Sequence, residues 1–127
     1  MLKSQGPFSA LPEPSIEWQG SLPYARDFDD CYFSRAGGLQ ETQHVFLDGS
    51  EFEKRLARHQ GPVFSMGELG FGTGLNFLAT WSSFTQAKRL SGTRLHYWSV
   101  EKYPLTKDQL LRALQPYASL RPFLTEL

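Results

Sequence analysis

The stretch Glu68-Leu-Gly-Phe-Gly-Thr-Gly74 constrains this chain more than any other. It follows the short apolar run Pro62-Val63-Phe64-Ser65-Met66 and precedes a helical pattern that begins near Leu75. Glycines at every second position make a tight turn between the two and let a ligand approach the backbone where a Cβ would collide. The helix behind the turn aims its free N–H groups and positive dipole end at whatever lies over it. A strand–turn–helix built to meet a nucleotide-like ligand is therefore expected here.

The spacing narrows the ligand. Gly70-x-Gly72-x-Gly74 differs from the dinucleotide pattern Gly-x-Gly-x-x-Gly, because the last glycine comes one residue early. Glu68, two residues before Gly70, would repel a pyrophosphate and suits a ligand with a cationic end. S-adenosylmethionine (SAM) fits: it carries a sulfonium, an ammonium and a carboxylate, and no phosphate. No Gly-Lys-Ser/Thr follows, so the loop is not a Walker A motif.

A second acid fits the first. Arg94-Leu-His-Tyr-Trp-Ser-Val100 reads as a strand and ends at Glu101. In a βαβ unit the next parallel strand ends beside the glycine loop, where a carboxylate can accept both ribose hydroxyls. Glu101 is the ribose candidate, and its plain alternative is a strand-end acid paired with Lys102.

Composition bounds the rest. The chain has 127 residues, 40% hydrophobic and 14% aromatic, which is enough for one core. Thirteen basic residues balance thirteen acidic ones, so the overall basic field of many nucleic-acid binders is missing. One cysteine, Cys31, forms no internal disulfide and suits a reducing cytoplasm. No apolar run reaches membrane-spanning length and the N-terminus has no signal-peptide core, so a cytoplasmic protein with no membrane partner is expected. His44, His59 and His96 are too far apart in sequence to read as a metal site.

Along the chain, residues 1–24 hold Pro7, Pro12, Pro14 and Pro23 and read as an extended arm with little regular structure. Residues 30–33 and 44–47 read as short strands around a turn at 35–38. Ser50-Glu-Phe-Glu53 reads as a capping box for a helix to about His59, with Phe52 and Leu56 on one face. A strand over 63–66 and a helix over 74–89 follow, the helix with Phe77, Leu78, Trp81 and Phe84 on one stripe. A strand over 95–100 comes next. Thr106-x-x-Gln109 is a second capping box, Pro116 ends its helix, and residues 120–127 complete the chain as a helical turn or two. Strand–helix–strand–helix after a hairpin and helix is the first half of a doubly wound α/β sheet.

Five blocks carry a resemblance: residues 29–34 (Asp-Asp-Cys-Tyr-Phe-Ser), 38–42 (Gly-Leu-Gln-Glu-Thr), 45–49 (Val-Phe-Leu-Asp-Gly), the glycine loop through Leu78, and 101–105 (Glu-Lys-Tyr-Pro-Leu). In this order the chain resembles the methyltransferase domain of the MnmC family, the bacterial tRNA 5-methylaminomethyl-2-thiouridine biosynthesis bifunctional proteins. The resemblance implies the first half of a Rossmann-like SAM-dependent methyltransferase fold over residues 25–127, with an N-terminal extension and short hairpin. It implies methylation of the aminomethyl group on the modified wobble uridine of tRNA, with SAM as cofactor and tRNA as partner. FAD would belong only to a second, oxidoreductase domain that this sequence does not contain. The implied cofactor set is Glu68, Gly70, Phe71, Gly72, Gly74, Asn76, Glu101 and Lys102, with Tyr32 and Ser34 at the substrate pocket.

The family's later Asp-Gly-Phe-Ala-Pro block is absent, and Asp48-Gly49 is no substitute, because it precedes the glycine loop and Ser50 follows it. No catalytic residue is therefore assigned. A truncated sheet with an exposed edge after the strand over 95–100 and a bare stripe at Phe77, Leu78, Trp81 and Phe84 would self-associate through that edge and would not turn over alone. Two rival readings stand beside this one. A non-catalytic fragment would keep the SAM loop without chemistry; a nicotinamide-dependent oxidoreductase would use a glycine loop and a strand-end acid differently.

Overall fold

The computed structural model describes residues 11–32, 38–87 and 92–127. The glycine loop is held by one parallel pair, β4 (Val63–Leu69) and β5 (Arg94–Val100). They run in register from Val63 opposite Arg94 to Leu69 opposite Val100. The crossover between them contains α3 (Leu75–Gln86), as a βαβ unit requires. Alternation along β5 decides which way the sheet faces. Leu95, Tyr97 and Ser99 are half-buried towards α3, while Arg94, His96, Trp98 and Val100 are exposed. The other face is bare: Leu69 is 85% exposed, Val100 61% and Trp98 49%. Parallel sheets are normally covered on both faces, so this surface is unusually apolar for one open to solvent. The Trp98 indole lies across Gly67, and any side chain there would collide with it.

Two cores lie on the covered side. In one, Leu75 and Leu78 of α3 pack against Ala113 and Leu114 of α4 (Lys107–Leu114) and Leu120. The other joins Ala79 of α3 to Phe64 of β4, Phe52 and Leu56 of α2 (Phe52–Arg58), and Leu47. α3 thus buries residues on two sides, and the expected bare stripe is a correction. Leu78 is fully buried, Phe77 stacks on Trp81 at 5.7 Å, and Trp81 meets Phe123 of α5 (Arg121–Leu124) at 4.9 Å. The helical turns after Pro116 return the chain and cover that face.

The N-terminal expectation also needs correcting within the described residues. Ile16–Gln19 (β1) and Leu22–Ala25 (β2) form an antiparallel hairpin about Gly20, and Asp30–Cys31 (β3) adds a short third strand. Pro23 is tolerated opposite Trp18 in this small sheet. The Arg112 guanidinium lies 4.1 Å over the Trp18 ring and donates to the Gly20 carbonyl at 3.4 Å, pinning the hairpin to α4.

Residues expected as a strand at 44–47 are helical. After α1 (Gly38–Glu41), Thr42–Asp48 forms a π-helical segment. Thr42 and Leu47, five apart, are both buried, which is the i→i+5 spacing of a π turn. A strand would have sent the neighbours Phe46 and Leu47 to opposite faces, yet both pack inward while Val45 is 66% exposed. The capping box at Ser50 is likewise replaced. Ser50 Oγ donates back to the Leu47 carbonyl at 3.1 Å, and Glu51, in the left-handed region at φ 54°, precedes α2 without a side-chain cap. The second box is present: Gln109 N donates to Thr106 Oγ1 at 3.3 Å and Thr106 N to Gln109 Oε1 at 2.8 Å.

Candidate functional site

The glycine loop connects β4 to α3 at the end of the parallel pair. Gly70, Gly72 and Gly74 all adopt positive φ, at 83°, 55° and 78°. A Cβ at Gly70 would meet nothing within 4 Å, so this is where the backbone stands open to a ligand. At Gly74 a Cβ would lie 2.8 Å from the Phe71 ring, which folds down over it. The Tyr32 ring lies 3.5 Å from the Cβ position of Gly72.

Two cavities meet at this loop. The larger, about 590 Å³, lies between the loop and the segment from β3 to the π-helical turn. Tyr32, Thr42, Gly70, Gly72 and Asn76 line it, with Asp30 and Glu41 as its acids. None of its described lining residues is Lys, Arg or His. The smaller, about 400 Å³, is lined by Phe71, Phe77, Tyr97, Ser99 and Glu101. Phe71 borders both.

Glu101 closes onto the loop. Its Oε2 accepts from Gly72 N at 2.9 Å and its Oε1 from Tyr103 N at 2.9 Å. Gly70 N donates to the Val100 carbonyl at 2.7 Å. Burial, then the Glu101 and Asp27 carboxylates, push the Tyr32 phenol above its ordinary value.

Glu68 sits beneath the loop, 7% exposed. Asn76 Nδ2 donates to its Oε2 at 2.8 Å. Glu68 Oε1, Tyr97 Oη and Ser99 Oγ are buried without a hydrogen bond of ordinary geometry. Ser99 is the register partner of Glu68, so these atoms share the covered face of the sheet. The Tyr97 phenol is pushed up by burial and by the Glu68 carboxylate. Burial also holds the Glu68 carboxyl above the ordinary value of 4.5; Asn76 and Tyr97 oppose this shift and Glu101 adds to it.

A raised carboxyl pKa means the folded state keeps its proton longer than the unfolded chain. Stability should therefore fall as pH rises from about 4.5 through the folded value. Glu68→Gln should remove that part of the slope. Denaturant unfolding of both proteins from about pH 4 to about pH 8 checks this; parallel curves would refute it.

The structure thus brings Glu68, Gly70, Phe71, Gly72, Gly74, Asn76, Glu101 and Tyr32 together around one loop. Lys102 lies apart from both cavities, its Nζ 5.2 Å from the centre of the Tyr103 ring. Ser34 lies outside the described residues. Thr42 lines the larger cavity from the start of the π-helical segment, a position that no motif in the sequence marks. Tyr97, two residues before Ser99 on the alternating strand β5, lies on the same face and lines the smaller cavity, although no motif in the sequence marks it. Among the described residues, no three His, Cys, Asp or Glu side chains gather as metal ligands, and no helix is long and apolar enough to cross a membrane.

No family model matches the chain. It is similar to the tRNA 5-methylaminomethyl-2-thiouridine biosynthesis bifunctional protein MnmC of Chromobacterium violaceum, 46% identical over 113 residues. The match covers 88% of this chain and 17% of that protein, so the chain spans a small part of the relative's length. Over that 88% the chain is a homologue of MnmC.

Proposed function

We propose that this chain carries the SAM-binding part of a methyltransferase that acts on the aminomethyl nitrogen of the modified wobble uridine in tRNA, within a Rossmann-like fold. The observation that supports it most is the charge of the large cavity. Asp30 and Glu41 line it beside the open backbone of Gly70, and no described lining residue is cationic. That suits a cationic ligand without phosphate and disfavours the pyrophosphate of a nicotinamide cofactor. Its volume is within the range of small-molecule sites.

When bound, SAM supplies an already activated methyl group. The chain's own residues bind and orient. The loop offers backbone at Gly70, the N-terminus of α3 offers free N–H groups, and Glu101 offers carboxylate lone pairs beyond those used by Gly72 and Tyr103. Tyr32 walls the cavity beside Gly72, where a substrate base would approach. The homology to a tRNA biosynthesis protein supports tRNA as the substrate. FAD has no part in this reading of the chain.

Titration calorimetry tests the cofactor. SAM should bind and NAD should not. Glu101→Ala should weaken SAM binding about tenfold or more, from the loss of charge-assisted hydrogen bonds of roughly 1.5–3 kcal/mol. NAD binding with none of SAM would establish the oxidoreductase reading instead.

We further propose that the bare sheet face of Val63, Leu69, Trp98 and Val100 drives self-association of this chain. Sedimentation velocity should show concentration-dependent association, reduced in Trp98→Ser. A monomer at every concentration would refute it.

A further inference from the structure

Glu68 belongs to the loop's sequence motif, yet it lines neither cavity. Its side chain is 7% exposed and lies behind Asn76, which does line the large cavity. We infer that Glu68 is a positioning residue that acts through Asn76: it holds the side-chain amide with Nδ2 turned back, so that Asn76 Oδ1 is the acceptor presented to a cationic ligand. The inference rests on the SAM reading for the ligand's identity, but not for the Glu68–Asn76 geometry.

The chemistry of the pair carries it. An amide side chain has a donor end and an acceptor end of nearly equal shape, and its neighbours decide which way it points. An ionised carboxylate only accepts, so the 2.8 Å contact from Nδ2 to Glu68 Oε2 selects one orientation. The backbone of Asn76 is held too, since Thr80 Oγ1 donates to its carbonyl at 2.7 Å. Asn76 stands in the first turn of α3, whose free N–H groups all donate. An acceptor beside those donors is what a ligand carrying both a cation and a carboxylate needs. A glutamine at 68 could donate to Oδ1 as readily as accept from Nδ2, and the selection would be lost.

The test is a double-mutant cycle in the full chain, with SAM affinity measured for the parent, Glu68→Gln, Asn76→Ala and the pair. Glu68→Gln should weaken binding about tenfold, and the double variant should bind no worse than Asn76→Ala alone. Additive losses would mean that Glu68 meets the ligand itself, and unchanged affinity in Glu68→Gln would mean that it has no role. Either result overturns the inference. The ligand-free readout is the pair of Asn76 side-chain NH₂ signals in a ¹H–¹⁵N spectrum. They should be shifted and slowly exchanging in the parent and should move in Glu68→Gln. If the parent binds no SAM, the proposed function fails and the amide signals alone decide the inference; signals unmoved by Glu68→Gln overturn it.

Discussion

Leu78→Ala should destabilise the protein by about 2–5 kcal/mol, a large share of the stability of a small domain. Leu78 is fully buried where α3 packs on Leu114, Ala113 and Leu120. Its removal leaves a cavity that neighbours from two other elements cannot close without moving. Urea unfolding monitored by circular dichroism measures the effect as a fall in midpoint at constant slope. A loss below about 1 kcal/mol would show that α4 and the C-terminal turns collapse readily onto α3. Because α3 also carries Asn76 and the loop's exit, ligand binding should weaken as the helix loosens.

The second large effect is expected at Gly72. Its φ of 55° is a left-handed conformation that a β-branched residue resists, at a cost of roughly 1–3 kcal/mol. Gly72→Val would also turn side-chain bulk towards the Tyr32 ring, 3.5 Å from the Cβ position, on the wall of the large cavity. If the backbone relaxes to negative φ, the hydrogen bond from Gly72 N to Glu101 is broken instead. By either route SAM binding should be lost in calorimetry. Binding equal to that of the parent would show that the ligand does not use this side of the loop.

What could be read beforehand follows from how local each cause is. The glycine loop and the strands around it were legible because three positive-φ residues and a period-2 strand need no distant partner to be recognised. The capping box at Thr106 and Gln109 was legible for the same reason. The π-helical segment was not. His44-Val-Phe-Leu47 contains residues that suit a strand, and only packing of Leu47 and Phe46 beside Phe52 and Ala79 selects the helical turn. The role of Ser50 depended on that result, because its hydroxyl closes the turn that the sequence did not reveal. The coverage of Trp81 depended on where Phe123 returns, which no local pattern specifies.

Types and spacing singled out Glu68, Glu101 and the glycines, which the fold gathers at one loop, but not their connections. That Glu101 accepts from the Gly72 amide follows from the parallel register, which brings the end of β5 beside the loop. Its bond from Tyr103 N and the Glu68–Asn76 contact, two and eight residues apart, are set by the local turns that follow β5 and β4 rather than by any motif. Lys102, which the resemblance implies beside Glu101, has its Nζ over the Tyr103 ring, a placement that depends on the turn after β5.

The register of β4 and β5 also sets a folding order. The β1–β2 hairpin closes across Gly20, whereas Ser65 and His96, paired across β4 and β5, are 31 residues apart. Local pairings form early, and pairings that close a long loop come late, because chain entropy is lost before contacts compensate it. The Glu101 bond to Gly72 and the Val100 bond to Gly70 depend on that later pairing. The glycine loop is therefore expected to close late in folding, and a chain caught before that point would lack the bonds from Gly72 to Glu101 and from Gly70 to Val100.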